Sequence, residues 1–373
     1  MNLEKNASRK TSNLNLNSVM QKYYELPKKL YRRVKKTKTN LELYFNEKIQ
    51  TLILKRSIQH IYGLSKIDYD RNELVVTCSV RNGEIYINSF IQHYLKLGVK
   101  HIVFLDNGST DQTIEIAKRY SNVTVLQTLC PYRKYETVMK KYLVNRFSKN
   151  RWNLFVDIDE LFDYPFSNQL RLNCLLDYLN RNSYTAVVSQ MLDMFSDKSL
   201  SELDDKSSDD MKSTYCYYDI SQIRLSKYQW SQLNNEKIRM HFDGIRKTLF
   251  DTDNGLTKAA LVFVNRRNKL FVDFHHVINA NLADFTCVLL HYPFTSHFYG
   301  KVMEAVETDR YALSASHEYK KYWDEIQTNK NFTIKQNTSC KLDSINDLIE
   351  KGFLVISEKY TQWIHDVQDS SNR

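Results

Sequence analysis

The sequence predicts an α/β fold, an open mixed sheet flanked by helices, and three observations lead to it. Short apolar runs that read as buried strands alternate with stretches of helical spacing; polar, turn-forming residues break the strands at equivalent points; and 42% of the 373 residues are hydrophobic, enough for a sizeable core. The first strand is the apolar run Glu73-Leu74-Val75-Val76-Thr77-Cys78-Ser79-Val80. A helix follows over Glu84 to Leu97, where Ile87, Phe90, Ile91, Tyr94 and Leu95 share one face. Gly98 ends it, and His101-Ile102-Val103-Phe104-Leu105 is the second strand. That strand breaks at Asp106-Asn107-Gly108-Ser109-Thr110-Asp111, before a second helix over Thr113 to Tyr120. A further strand, Trp152-Asn153-Leu154-Phe155-Val156, runs into Asp157-Ile158-Asp159-Glu160. This β-α-β-α succession puts its strand-end loops where open α/β sheets bind ligands. Asp193 to Ser213 is charged and aperiodic, and reads as a mobile loop, either a plain insertion or a lid. Past residue 300, Lys301 to Tyr311, Glu318 to Ile326 and Leu342 to Ile349 have helical character.

The acidic run after the Trp152 strand carries the most chemistry. Side chains alternate along a strand, so Asp157 and Asp159 are expected on one side and Ile158 on the other. Two carboxylates side by side repel each other, and a hard divalent cation removes that repulsion while leaving positions open for substrate phosphates. An acidic loop after a strand, without a cation, is the plain alternative. Cations elsewhere in the chain, Arg246 and Lys258 among them, form surface ion pairs unless the resemblance described below gives them a phosphate to compensate.

Charge is unevenly placed. Residues 1–66 hold 15 Lys and Arg against 4 Asp and Glu, while residues 67–373 hold 38 against 39, so the whole net charge of +10 comes from the N-terminal part. The excess concentrates in Lys28 to Lys38, ahead of a stretch from Leu41 to Tyr62 where Phe45, Ile49, Leu52, Ile53 and Ile58 recur at near-helical spacing. Such a segment, residues 28–62, suits an anionic membrane surface, each cation contributing up to about 1 kcal/mol. A solvated tail followed by a helix packed on the rest of the chain is the alternative. No nucleic-acid module accompanies the charge, so nucleic acid is not an expected partner. No run reaches the roughly 18 apolar residues of a membrane span, and the first residues lack the apolar core of a secretory signal. The expected location is cytoplasmic, peripheral at the inner face of the membrane if the basic segment docks there. The six cysteines, Cys78, Cys130, Cys174, Cys216, Cys287 and Cys340, are widely spaced without a C-x-x-C pair, which favours a reducing compartment over a zinc site or a disulfide framework.

The Asp106–Asp111 loop after a strand, with Asp157-Ile158-Asp159-Glu160 about fifty residues later, resembles the nucleotide-sugar-binding half of family 2 glycosyltransferases. The run from Val80-Arg81-Asn82 to His101-Ile102 is similar to a family 2 and family 92-like branch. Phe242-Asp243-Gly244-Ile245-Arg246-Lys247, Leu256-Thr257-Lys258, His275-His276, Leu289-Leu290-His291-Tyr292-Pro293-Phe294 and Glu318-Tyr319-Lys320-Lys321-Tyr322 follow in that branch's order, so the likeness covers residues 72–323. It departs where Gly83 separates Asn82 from Glu84, where Ala260 replaces a proline, and where Asn107 follows Asp106 in place of a second acid. The resemblance implies a Rossmann-like GT-A fold and a Mn²⁺- or Mg²⁺-dependent transferase whose donor is a nucleotide-diphosphate sugar, a UDP-sugar first. Its acceptor would be a glycan or lipid-linked glycan in surface polysaccharide synthesis. Arg81, Asp106, Asp111, Asp157, Arg246 and Lys258 would contact the donor; Asp157 and Asp159, with His276 or His291 (His275 if the register shifts by one), would hold the metal. If the outcome is inversion, Asp243, Asp273 and Asp284 are the candidates for the base that takes the acceptor proton, and Asp243 is preferred.

The expected organisation is a basic N-terminal segment over 1–66, a catalytic domain over 67–300 and a helical extension over 301–373. A non-catalytic module of the same fold, binding or assembling at a membrane, is the competing reading. A nucleotidyltransferase is disfavoured because Thr77 to Gly83 holds one glycine and no Gly-rich phosphate loop.

Overall fold

The computed structural model describes residues 45–203, 211–265, 275–309, 311, 313–328 and 333–371. The chain divides into two units, Met1–Leu52 and Ile53–Arg373. Of the first, residues 45–52 are described and are helical; the basic stretch Lys28 to Lys38 lies outside the described residues. In the second unit the helical pattern stops at residue 57, and Gln59–Tyr62 forms strand β1, antiparallel to β4 (Val123–Gln127). Tertiary pairing overrides the helical spacing expected up to Tyr62.

The remaining strands are β2 (Leu74–Val80), β3 (His101–Asp106), β5 (Trp152–Phe155), β6 (Glu160–Asp163), β7 (Ala186–Phe195), β8 (Tyr217–Tyr218), β9 (Ile223–Lys227), β10 (Arg239–Asp243), β11 (Thr257–Phe263), β12 (Leu282–His291) and β13 (Cys340–Lys341). The large sheet runs β1-β4-β3-β2-β5-β11-β7-β12-β6, with β8 and β13 attached beside β7, and β9 pairs with β10 in a separate ribbon. It is mixed: β4, β3, β2 and β5 are parallel, β11 is antiparallel to both β5 and β7, and β12 is parallel to β7.

Helices cover both faces of the parallel part, which is why its strands are apolar throughout. Leu74, Val76 and Cys78 pack on α1 (Glu84–Leu97), whose Ile87, Phe90, Ile91 and Tyr94 are buried. Val75, on the other face, packs with Val138, Met139 and Leu143 of α3 (Tyr132–Phe147), while α2 (Thr113–Ala117) joins β3 to β4. Gly98 ends α1 in the left-handed region at φ 95°, its N–H turned back onto the Leu95 and Tyr94 carbonyls. The segments beyond residue 300 share this core. Leu348, Phe353, Tyr360 and Ile364 join the α1-side cluster with α4 (Leu172–Arg181), and Tyr360 stacks on Phe285 of β12 at 4.1 Å.

Two features of the topology make a site. β2 leads through α1 to β3 on one side, whereas β5 returns to the opposite side of β2, so the connections diverge between β2 and β5 and leave a crevice at their carboxyl ends. Because β11 reverses direction between β5 and β7, the carboxyl ends of β7 and β12 come to the same edge. The segment expected as a mobile loop from Asp193 is strand up to Phe195, since β7 is paired on both sides; residues 204–210 of that segment lie outside the described residues.

Candidate active site

Asp157, Ile158 and Asp159 form a tight turn between β5 and β6. The Glu160 N–H donates to the Asp157 carbonyl at 3.1 Å, and Glu160 Oε2 accepts the Asp157 N–H at 2.8 Å. Strand alternation therefore does not govern these side chains, and the two aspartates expected side by side take different partners. Asp157 Oδ2 lies 3.2 Å from Lys258 Nζ and Oδ1 lies 3.5 Å from Lys140 Nζ, while Lys258 also holds Glu160 Oε2 at 2.7 Å. Asp159 Oδ2 accepts from Lys301 Nζ at 2.8 Å and stands 3.8 Å from His291 Nε2. Burial opposes ionisation of Asp157, but Lys140 and Lys258 outweigh it and hold the carboxyl far below its ordinary value. With 36% of its side chain open to the cleft, water screens part of that attraction. Glu160 goes the other way: burial, partly offset by Lys258, raises it above the usual range. His275, buried near Lys258 and Lys140, is pushed down to about 3 and stays neutral.

Strand register delivers the second half of the site. His291, last in β12, is opposite Glu160 of β6 on one side and Asp193 of β7 on the other. Its Nδ1 is 2.6 Å from Asp193 Oδ1, and Arg246 Nε donates to the other Asp193 oxygen at 2.8 Å while its Nη1 reaches Glu318 at 3.1 Å. Burial would raise Asp193, yet Arg246 and His291 bring it down to about 2. An ionised carboxylate only accepts, so His291 donates its Nδ1–H to Asp193 and turns Nε2 toward Asp159.

These groups border a cavity of about 720 Å³, whose wall includes Arg81, Asp157, Asp159, His291 and Lys301. Tyr132, Tyr299, Tyr311 and Tyr319 add aromatic surface, with Tyr311 and Tyr319 stacked at 4.9 Å. The buried hydroxyls of Ser79 and Ser296 also line it and have no hydrogen-bond partner among the described residues. A buried hydroxyl without a partner is costly, so both favour a polar ligand. Arg81 and Lys301 sit on opposite walls, after β2 and on α5 (Phe298–Thr308), and Arg81 pairs with Glu304 of the same helix at 3.5 Å.

The Asp106–Asp111 loop is scaffold. Asp106 accepts from the Gly108 N–H at 2.9 Å, from Ser109 N–H and from Gln127 Nε2, and so folds its own turn around Gly108 at φ 77°. Ser109 Oγ accepts the Asn82 N–H, and Asp111 accepts the Glu84 N–H at 3.0 Å, bracing the segment that presents Arg81. Of this loop it is Asn107 that reaches the cavity wall. Gly83 fits because the loops approach closely there: a Cβ would lie 2.7 Å from Val80 Cγ2 and 3.1 Å from Ile158 Cγ1.

The structure thus brings Arg81, Asp157, Asp159 and His291 to one cavity and places other expected residues elsewhere. Lys258 and Arg246 are buried behind the wall, clamping Asp157 with Glu160 and Asp193 with Glu318, and neither lines the cavity. Asp106 and Asp111 are spent on loop turns. His276 stacks on Trp230 at 4.6 Å, and Trp230 packs on the cluster that holds Val277; His276 does not line the cavity. Asp243 sits at φ 74° on a separate polar cavity with Asp219 and Lys247, its Oδ2 accepting from Arg224 Nε at 2.8 Å. Asp284 accepts from Tyr178 and Ser357, and Asp273 lies outside the described residues. Lys140, Asp193 and Lys301 were not anticipated. For Asp193 a signal existed: it is a lone charge inside the apolar run Met191 to Phe195.

Among the described residues no three His, Cys, Asp or Glu side chains gather as a metal site, and no helix is long and apolar enough to cross a membrane. Asp159 and His291, facing each other at 3.8 Å, fit a cation held by two protein donors and completed by phosphate oxygens and water, though not an all-protein cage.

No family model and no curated protein matches the chain. Solved structures with some likeness include glucosyl-3-phosphoglycerate synthase from Mycobacterium tuberculosis in complex with Mn²⁺, UDP and glucosyl-3-phosphoglycerate (18% identity, TM-score 0.22, 32% of this chain and 44% of that one). A mannosyltransferase from Pyrobaculum calidifontis in complex with GDP-mannose and Mn²⁺ matches at 14% identity and TM-score 0.26, over 44% of this chain and 46% of that one. A UDP-glucose pyrophosphorylase complexed with UDP-glucose matches at 7% identity and TM-score 0.23, over 67% and 86%. The chain spans less than half of the first two proteins. Likeness at this level leaves the functional reading to the site's own geometry.

Proposed function

We propose that this chain transfers a sugar from a nucleotide-diphosphate sugar, UDP-linked in the first instance, to a hydroxyl of a glycan or glycolipid in surface polysaccharide synthesis. One observation carries the reading: Asp159 and His291 converge at the carboxyl edge of the sheet, on a cavity that also presents Arg81 and Lys301. Asp159 and His291 would hold Mn²⁺ or Mg²⁺. Bound there, the ion would offset the charge that grows on the diphosphate as the glycosidic bond breaks. The chain's own residues do the rest. Arg81 and Lys301 supply cations for the phosphates, and Asp193, accepting from Nδ1, orients the His291 ring so that Nε2 points to the cation position. Asp157, kept ionised by two lysines, accepts from ribose or donor-sugar hydroxyls. The tyrosines offer ring faces to the base and sugar, and Ser79 and Ser296 offer hydroxyls without other partners. The lipid-linked acceptor rests on the basic stretch Lys28 to Lys38.

Calorimetric titration with UDP, in Mn²⁺ or Mg²⁺ and in EDTA, tests the proposal alongside Asp159→Asn. Binding should require the metal and be lost in the variant, and UDP-sugars should then be hydrolysed slowly. If no nucleoside diphosphate binds with metal present, the transferase reading falls and a non-catalytic module takes its place.

A further inference from the structure

Lys301 holds the Asp159 oxygen nearest to His291. Asp159 Oδ2 accepts from Lys301 Nζ at 2.8 Å and is also the oxygen that faces His291 Nε2. Asp157 is already neutralised from behind, with Lys258 3.2 Å from one of its oxygens and Lys140 3.5 Å from the other. Lys301 stands near the mouth with 30% of its side chain exposed, on a flexible stem, whereas Lys140 and Lys258 are 4% and 1% exposed. One turn along the same helix Glu304 repeats the arrangement in reverse, covering Arg81 at 3.5 Å. Each cation that faces the cavity is thus matched by a carboxylate across it.

We propose that Lys301 is an exchangeable counter-ion, giving up Asp159 to a divalent cation and taking the oxygens of a nucleoside diphosphate in return. This rests on the nucleotide-sugar reading for its second half only; the competition between Lys301 and a cation stands without it. The exchange keeps the local charge balanced at each stage: ammonium against carboxylate beforehand, and afterwards cation against carboxylate with ammonium against phosphate. Arg81 makes the parallel move from Glu304 to the phosphates.

The test is a Mn²⁺ titration of the full chain without nucleotide, with free Mn²⁺ read by electron paramagnetic resonance. Lys301→Met and Lys301→Gln remove the charge, the second keeping a hydrogen-bonding end of similar length in case the first folds poorly. Both should bind Mn²⁺ at least about tenfold more tightly than wild type, because a cation at hydrogen-bond distance has been taken from the ligating oxygen. With Mn²⁺ saturating, both should bind UDP about tenfold more weakly. Unchanged Mn²⁺ affinity in two variants with wild-type thermal unfolding overturns the inference, even if UDP binds wild type well. Absence of UDP binding by wild type would sink the transferase reading instead, and the Mn²⁺ comparison would still decide whether Lys301 is the competitor.

Discussion

Replacing Lys258 with Met removes a cation shared by Asp157 and Glu160 at a point that is 1% exposed. At an effective dielectric of ~20, attractions over 2.7 and 3.2 Å amount to about 6 and about 5 kcal/mol before desolvation is counted. Burying the ammonium takes back much of this, and removing one partner of a buried pair costs about 3–5 kcal/mol overall. The Asp157 share is discounted, because that carboxylate is partly wet and Lys140 stays beside it. Most of the loss then falls on Glu160, and the expected destabilisation at neutral pH is about 3 kcal/mol. Its pH dependence follows from the direction in which Glu160 titrates. Burial already raises the folded Glu160 carboxyl, and without Lys258 it rises further, so the folded variant holds a proton that the unfolded chain releases above about pH 4.3. The deficit is therefore largest at neutral and alkaline pH and shrinks as pH falls through the folded value. Urea unfolding of wild type, Lys258→Met and Lys258→Met with Glu160→Gln, at pH 7.5 and 5.5, reads all of this. The Gln variant should recover most of the loss at pH 7.5. A loss below about 1 kcal/mol, or one that neither acid nor Glu160→Gln relieves, refutes the assignment of Lys258 as the clamp.

Arg246→Met should cost about 3–5 kcal/mol by urea unfolding, since it strips Asp193 of a buried partner, and Asp193→Asn combined with it should cost less than the sum of the two; additive losses would show that the pair is not coupled. Gly83→Ala should destabilise by about 1–3 kcal/mol, because Val80 and Ile158 must shift, and an unchanged urea midpoint would show that the loops have slack. Asp157, Asp159 and Asp193 all have lowered folded values, so their contribution is present above about pH 4 and is lost as pH falls, for Asp193 through about 2. Urea midpoints measured from pH 5 to pH 2.5 should therefore drop steeply; a flat profile contradicts the ion pairing.

The parallel half of the fold was legible because its signals are local. β2, α1 and β3 each announce themselves by an apolar run or a 3.6-residue period, and Gly98 and Gly108 mark the breaks. Asp157 and Asp159 were found for the same reason, as acids directly after an apolar run. What failed was local reasoning about non-local geometry. Strand alternation does not apply to a stretch that is a turn, so the different partners of Asp157 and Asp159 are not legible in it. Asp193 reads as the start of a loop because its flank is polar, whereas pairing with β12, and of the next residues with β8, keeps it in a strand. For Lys258 and Arg246 the resemblance and their charge point to the phosphates, with a surface ion pair as the alternative. Only the register of β11 and the position of Asp193 show that they serve carboxylates behind the wall, and no sequence spacing encodes that. His276 and His291 have equal standing by chain order, and it is the pairing of β12 with β6 and β7 that brings His291 beside Asp159.

The ion pairs of this site fall into two layers with different duties. Lys140, Lys258 and Arg246 are nearly inaccessible, and each touches more than one carboxylate, so they fix the turn and the histidine. Arg81 and Lys301 are about a third exposed, at 35% and 30%, and each is paired to one carboxylate across the mouth. Exposed pairs contribute about 0–1 kcal/mol to stability, whereas their charge acts fully on a bound diphosphate from which water is excluded. The two layers should therefore separate experimentally. Arg81→Met should leave the urea midpoint within about 1 kcal/mol of wild type and weaken UDP binding about tenfold. Lys258→Met should lose stability first, and bind UDP with near-wild-type affinity under conditions where it remains folded. Arg81→Met unfolding the chain, or Lys258→Met abolishing UDP binding while folded, would place both residues in one functional layer and remove the basis for assigning the phosphate contacts to the mouth.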